Sequence, residues 1–464
     1  MDKLLIIGAG PVGLAMAKAL KAHGIAYDQV DANEGLGGNW RRGVFKTTHI
    51  ISSKRSTGYT DYPMPADYPD FPSAAQILAY LEGFARDHGL LEHLECERKV
   101  TRAAPLPDNN WSVEFENGEQ RVYKGVVVCN GHHWNRRMPS YPGTFAGELI
   151  HSKDYYEPAQ LRDKRVLVIG GGNSACDVAC EAARVGTSCD WSLRSGYWFL
   201  PKTAFGRPLT DLPIWWMPMF AQRIILRMIV RMIIGDYRSY GLPHPNHRLF
   251  ERHSTFGTEV LGYVRQGLIR VRPEIARYDG SRVWFTDGSS AEFDMIIAAT
   301  GFHNTFPFLP PGLVEVKNDA AQIYSGAFPP GVRHLYIVGS NQPRNGFGSI
   351  ISPAADLYAR LFKLQDELPQ PIGDILQWVG DSLPETNLLD PGATQREIWI
   401  GRHFTFLLRV YSWLMLRQAA WKDRRESHSS PPVPAATESS DSNRAVRKAS
   451  SETTSPLTAS AGRS

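Results

Sequence analysis

Short apolar runs that stop at glycine, each followed by an Ala-rich stretch of helical period, recur along the chain. Leu4-Leu5-Ile6-Ile7 runs into Gly8, and Arg165-Val166-Leu167-Val168-Ile169 runs into Gly170. A strand buried on both faces reads as an unbroken apolar run, and a glycine turn into a helix is the usual sequel in a parallel sheet. A third run, residues 294–301, ends the second such segment, and a fourth, Leu335 to Gly339, precedes a helix-like stretch from Ile350 to about Leu364. These late strands can complete the first sheet. The pattern predicts an α/β fold of two Rossmann-like dinucleotide-binding domains, the second inserted into a discontinuous first. The expected spans are 1–155 with 300–421, and 156–299 with an apolar helical insertion at 205–250. After Trp421 the composition turns to Ser, Thr and Pro without apolar period, so residues 422–464 are expected to be a disordered tail.

A chain of 464 residues, 42% hydrophobic and 21% charged, has the balance of a folded protein with a sizeable core. The 51 Lys and Arg against 47 Asp and Glu leave +4, too small and too dispersed to imply a nucleic-acid partner. The five cysteines form no CxxC pair, which disfavours zinc fingers and dithiol centres and points to reduced thiols. Cys176 and Cys180, four apart on one helix, read as packed small hydrophobes. The N-terminus reads as a strand of the mature protein, without a leader. A cytoplasmic location is expected.

The first turn, Gly8-Ala9-Gly10-Pro11-Val12-Gly13, has the spacing of a dinucleotide fingerprint. Gly8 makes the turn, Gly10 admits a pyrophosphate to the backbone, and Gly13 allows the helix to pack closely. The helix start supplies free N–H groups to that anion. Asp31, ending the next strand pattern, is placed to accept from ribose hydroxyls. Gly35-Leu36-Gly37-Gly38-Asn39-Trp40 then lets backbone lie against a flat ligand that Trp40 covers. This cluster resembles the flavin-proximal loop of two-dinucleotide-domain flavoproteins, which moves the first cofactor from NAD toward FAD.

The second turn, Gly170-Gly171-Gly172-Asn173-Ser174-Ala175, keeps the GxGxxA form and is expected to hold a second pyrophosphate. Arg194 stands where an NAD-specific protein usually carries an acid; with Ser192 or Ser195 it can hold a 2′-phosphate, which favours NADPH. A solvated surface arginine is the competing reading.

Between the two turns lies Phe145-Ala146-Gly147-Glu148-Leu149-Ile150-His151-Ser152-Lys153-Asp154-Tyr155. Here the chain resembles the class B flavin-containing monooxygenases, whose interdomain fingerprint Phe145, Gly147, His151 and Tyr155 match at each defined position. Further similarity appears in Tyr59 to Pro65, in Gly131-His132-His133-Trp134-Asn135, and in Ala299-Thr300-Gly301-Phe302. The resemblance implies that NADPH reduces FAD and that the reduced flavin and O₂ give a C4a-hydroperoxide, which passes one oxygen to a soft nitrogen or sulfur nucleophile. It also implies cofactor contacts at Ser53, Thr300 and Gly301. Tyr155, where Baeyer–Villiger enzymes carry Trp, argues for the heteroatom branch.

In this chemistry the cofactors react while the protein positions and shields, and no side chain is assigned a catalytic role. Ile51 departs from the pattern, standing where the family has an Asn that can hydrogen-bond. If residues 45–54 are extended, Thr47, His49 and Ser53 share its face, and His49 or Ser53 takes over the polar role. The alternatives left open are an NADPH oxidase, a Baeyer–Villiger-type oxygenase, and a catalytically silent membrane-associated FAD and NADPH binder.

No metal site is expected, since His132, His133 and His151 lack ligand spacing. Residues 214–234 are apolar but carry Arg223, Arg227 and Arg231 at i, i+4 and i+8. That stripe disfavours a transmembrane span and leaves two readings, an interfacial helix on the inner membrane face or a helix packed on the protein with its arginines in water. Residues 404–416 raise the same question more weakly.

Overall fold

The computed structural model describes residues 2–429 apart from Trp216. Leu4–Ile7 (β1), Pro11–Ala22 (α1), Tyr27–Val30 (β2), Ala74–Asp87 (α2), Leu94–Glu95 (β3) and Gly125–Val128 (β4) come first. Glu148–His151 (β5), Arg165–Ile169 (β6), Asn173–Val185 (α3), Ser188–Ser192 (β7), Met219–Ile233 (α4), Ile269–Arg272 (β8) and Met295–Ala298 (β9) follow. Leu335–Ile337 (β10), Gly348–Glu367 (α5), Pro391–Phe404 (α6) and Leu407–Ser429 (α7) complete the set. The strands form two parallel sheets, β10-β4-β1-β2-β3 and β8-β7-β6-β9-β5.

Strand alternation sends neighbouring side chains of each sheet into different cores. Leu4 and Ile6 pack with Leu14 and Leu20 of α1 and Ile350 and Leu357 of α5. Leu5 and Ile7 turn the other way, to Trp111 and Phe115 of an antiparallel sheet formed by residues 100–123. The second sheet repeats the plan. Val166 and Val168 meet α3, and Leu167 and Ile169 meet Val283 and Phe285 of a second antiparallel sheet, residues 275–292. The apolar runs are therefore unbroken because both faces are covered, by helices on one side and an antiparallel sheet on the other. Full burial of each such side chain contributes about 1.5–3 kcal/mol.

Of the two late apolar runs, Leu335–Ile337 joins the first sheet beside β4, while Met295–Ala298 pairs with β6 in the second. The boundary at residue 155 needs correction. Glu148–His151 falls before it, yet it is the edge strand of the second sheet, paired with β9. Its partner is distant in sequence, and its two apolar residues are half-buried between an exposed Glu148 and a buried His151, so no unbroken apolar run marked it.

The tail boundary at 422 also moves, because α7 is helical through Ser429; the remainder of that expected tail, 430–464, lies outside the described residues. The chain divides into two units, 1–415 and 416–464. The stretch 404–416 is broken where α6 ends at Phe404 and α7 begins at Leu407. Asp390 caps α6, its carboxylate accepting from the N–H groups of Gly392 and Ala393 at 2.9 and 3.1 Å.

In the 205–250 insertion, α4 buries Gln222, Leu226, Ile229 and Val230. The expected arginine face is only partly free. Arg223 Nε donates to the Leu249 carbonyl at 2.9 Å, and Arg227 lies 5.7 Å from the Trp198 ring centre. The outward face instead carries Phe220, Ile224, Met228 and Met232, all exposed, with Arg227 and Arg231 beside them. No helix among the described residues is long and apolar enough to cross a membrane.

Candidate functional site

One cavity of about 1480 Å³ is lined by both glycine turns. At the first, β1 passes through Gly8, at φ +111°, into α1, with Gly10 at the N-cap and Pro11 in the first helical position. A Cβ on Gly8 would stand 2.4 Å from the Cys129 carbonyl oxygen, and one on Gly13 would stand 2.0 Å from that of Gly8. Those two glycines are required by the fold. At Gly10 the nearest atom to a Cβ is Gly38 Cα at 3.8 Å, so the protein itself has room and only the cavity would be filled.

Asp31 is held in the same corner, its Oδ2 accepting from Ala9 N at 2.7 Å and its Oδ1 from Asn33 N at 2.9 Å. Gly37 N donates to the Ala9 carbonyl at 2.9 Å, which docks the Gly35–Trp40 loop on the turn.

The second turn is built alike. Gly170, at φ +116°, would clash with the Ala299 carbonyl at 2.4 Å if it bore a Cβ, whereas Gly172, the N-cap of α3, has nothing within 4 Å. Asn173 Oδ1 accepts from Phe256 N at 2.8 Å, and Thr255 Oγ1 donates to the Gly171 carbonyl at 2.7 Å. Neither α1 nor α3 has an acidic residue in its first turn, so both helix starts stay receptive to an anion. Arg194 is exposed on the cavity and makes no hydrogen bond or ion pair with another described residue.

Of the residues singled out from sequence, Gly8, Gly10, Pro11, Val12, Asp31, Gly38, Asn39, Trp40, Gly170, Gly172, Asn173, Ser174, Arg194, Thr300 and Gly301 line this cavity. Ala9, Gly13 and Gly37 shape the first turn from behind. Ser195 lies off the lining, and Ser192, though on it, spends its hydroxyl on the Pro273 carbonyl at 2.8 Å.

Ser53 is a correction. It is fully buried, N-caps the turn Lys54–Thr57 and donates to Asp211, so it does not reach the cavity. Residues 45–53 do not form one extended strand: Thr48 N closes a turn on the Phe45 carbonyl at 2.9 Å, and only His49 makes an isolated antiparallel bridge, to Ser73. Thr47 accordingly leaves the face of Ile51 and donates to Glu181.

The interdomain motif works as a strut. Lys153 N donates to His151 Nδ1 at 3.1 Å and His151 Nε2 donates to the Gly301 carbonyl at 3.0 Å; burial pushes this imidazole down in pKa and keeps it neutral. Gly147 is small because a Cβ would stand 2.5 Å from the Asp294 carbonyl oxygen. Tyr155 is buried, its hydroxyl donating to Glu181 of α3.

Sequence reasoning missed Tyr197, Thr210, Arg252 and His253 from the second domain, and Asn341, Arg344, Asn345 and Phe347 ahead of α5. The latter group carried a signal, since Asn341-Gln342-Pro343-Arg344-Asn345-Gly346 is a third strand-to-helix junction rich in Asn and Gly. Asn341 Oδ1 and Asn345 Oδ1 are buried without a partner among the described residues, and Arg344 is buried against Asp390. No cluster of three or more metal-ligating side chains occurs among the described residues.

Two anion-receptive helix starts on one cavity, each behind a glycine where a Cβ would enter only ligand space, fit two dinucleotides. Residues 1–376 match the family model described as flavin-binding monooxygenase-like. The chain belongs to that family. It is a flavin-dependent monooxygenase that uses FAD and NADPH. It is 29% identical over 430 residues to flavin-containing monooxygenase 3 of Rattus norvegicus, covering 82% of this chain and 79% of that protein. Among solved structures it resembles a flavin-containing monooxygenase from Stenotrophomonas maltophilia, with TM-score 0.60, 24% identity, and 78% and 99% of the two chains covered. A complex of OTEMO with FAD and NADP shares the fold at TM-score 0.64 and 16% identity, over 79% of this chain and 84% of that one.

Proposed function

We propose that this monooxygenase inserts one oxygen atom from O₂ into a soft nitrogen or sulfur nucleophile, with FAD on the Gly8–Gly13 turn and NADPH on the Gly170–Ala175 turn. The observation that carries this reading is the continuity of one cavity between the two turns. Bound FAD, reduced by NADPH, supplies the electrons that activate oxygen. The α1 and α3 starts hold the two pyrophosphates, Asp31 accepts from ribose hydroxyls, and Arg194 meets the 2′-phosphate. Trp40, Phe347 and Ile51 wall the cavity with apolar surface and exclude water. Tyr155 in the interdomain motif favours heteroatom oxygenation over ketone insertion. Incubation with NADPH and ¹⁸O₂, offering an amine, a thioether and a cyclic ketone, tests this. An ¹⁸O-labelled N- or S-oxide is expected, and label in a lactone alone overturns it.

The face of α4 supports a location. Phe220, Ile224, Met228 and Met232 form a row one turn apart, flanked by the exposed Arg227 and Arg231. Apolar side chains beside cations suit the headgroup layer of an anionic lipid surface, where the former enter the acyl boundary and the latter meet phosphate.

A further inference from the structure

His49 stands on the cavity wall two residues from Ile51, and its Nε2 is in direct contact with Lys202 Nζ. An ammonium has no lone pair, so Lys202 donates and His49 accepts, which requires an imidazole without a proton on Nε2. Two cations would repel at this contact, whereas a neutral imidazole offers the ammonium a lone pair, so the histidine is the neutral partner. Its single proton is therefore on Nδ1, a position with no hydrogen-bond partner among the described residues. Thr48 Oγ1, next to it on the cavity, is likewise buried and unpartnered among those residues.

The neighbouring polar groups are committed elsewhere. Ser53 is bound to Asp211, and Thr47 and Tyr155 both donate to Glu181. His132 faces the Gly339 carbonyl at 3.3 Å. The charged groups around the pair are Asp177 and Glu181 of α3 and Glu259 of the short helix Glu259–Arg265. Burial raises the Asp177 carboxyl, while the Lys202 ammonium pulls it back toward the ionised form.

Monooxygenation consumes a proton: substrate, O₂, NADPH and H⁺ give oxygenated substrate, NADP⁺ and water. We propose that His49 delivers this proton from Nδ1 into the cavity, and that Lys202 is its positioning residue, fixing the tautomer and passing a proton to Nε2 as Nδ1 gives one up. Lys202 is partly exposed and regains its proton from solvent. The inference does not depend on which nucleophile is oxygenated.

The experiment combines a tautomer measurement with a pH profile, on the FAD-loaded full chain. Two-bond ¹⁵N–¹H correlation spectra of imidazole-labelled protein read the tautomer directly, with His49 assigned as the pattern lost in His49→Gln. An Nδ1–H imidazole at neutral pH is expected, relaxing to a mixture of tautomers in Lys202→Met. His49→Gln, which keeps a hydrogen-bonding amide but cannot relay a proton, is expected to slow product formation at least about 100-fold while retaining flavin. Lys202→Met removes the proton supply to Nε2, so product formation is expected to slow at neutral pH and to recover as the pH falls and solvent protonates Nε2 instead. An Nε2–H tautomer in the parent protein overturns the proposal, as does a His49→Gln enzyme within about threefold of the parent across the pH range. Because the spectra need no turnover, a parent that oxygenates neither amine nor sulfide refutes the substrate reading without touching this one.

Discussion

His151 Nε2 donates to the carbonyl oxygen of Gly301 at 3.0 Å, joining the edge strand of the second sheet to the turn that leads back to the first. The imidazole also accepts from Lys153 N, so its removal leaves one partly buried donor and one partly buried acceptor without these partners. His151→Ala is expected to destabilise the chain by about 1–3 kcal/mol in urea unfolding, with the loss concentrated between the sheets. Its pKa is lowered in the folded chain, as are those of His253 and His334, each pushed down to about 4 by burial. The unfolded chain then binds more protons than the folded one at acid pH. Stability from these histidines is complete above their unfolded pKa of about 6.5 and is lost as pH falls toward 4. For His334 alone this is on the order of 3 kcal/mol. The melting temperature should decline over that window, and less steeply in His334→Gln.

Gly10 and Gly13 separate binding from folding within one turn. A side chain on Gly13 collides with the Gly8 carbonyl, whereas one on Gly10 meets only cavity. Gly10→Val is therefore expected to stay folded by circular dichroism and to lose stoichiometric flavin absorbance. A folded Gly10→Val protein that remains fully yellow removes FAD from this turn.

What the sequence made legible follows from how local each signal was. Strand, glycine turn and helix are consecutive at Gly8 and Gly170, so those turns could be read directly, together with Asp31 and Arg194. The resemblance implies a cofactor contact at Ser53, but its side chain caps a helical turn and is bound to Asp211; its sharing a face with Ile51 required an extended backbone, and the bond between Thr48 N and Phe45 O makes a turn there instead. Glu148–His151 fell on the first-domain side of the expected boundary at 155 because only pairing with the remote Met295–Ala298 defines it as a strand of the second sheet. The contact of His49 with Lys202, far apart in the chain, left no trace in spacing at all.

Arg194 has no competing partner among the described residues, so it is available to a phosphate. Arg194→Ala should raise KM for NADPH by about 10-fold or more, corresponding to the roughly 1.5–3 kcal/mol of a charge-assisted hydrogen bond, and leave KM for NADH nearly unchanged. Equal losses with both nucleotides would make the arginine structural.

On α4, vesicle co-sedimentation should require anionic lipid and weaken with salt through Arg227 and Arg231. Met228→Asp, on the exposed row, should abolish it without altering the melting temperature, since that side chain packs on nothing buried. Absence of binding to strongly anionic vesicles at low salt would show that the row does not meet lipid.

Ile51 gives the cavity an aliphatic wall where a hydrogen-bonding side chain would otherwise stand, and the structure removes two of the substitutes its neighbours offered. Ser53 is committed to Asp211 and Thr47 to Glu181, which leaves on the cavity His49 and Thr48, whose hydroxyl has no partner among the described residues. An aliphatic wall excludes water but holds no oxygen atom in place, so reduced oxygen is expected to escape in part as hydrogen peroxide. One added neutral hydrogen bond contributes about 0.5–1.5 kcal/mol, enough to slow a competing loss severalfold. Ile51→Asn should then raise the ratio of oxygenated product to NADPH consumed and lower peroxide, both measured in one reaction with a test amine or sulfide. If the parent already couples every NADPH to product and Ile51→Asn changes neither quantity, then His49 and the enclosing wall suffice, and the residue at position 51 does not govern the fate of oxygen.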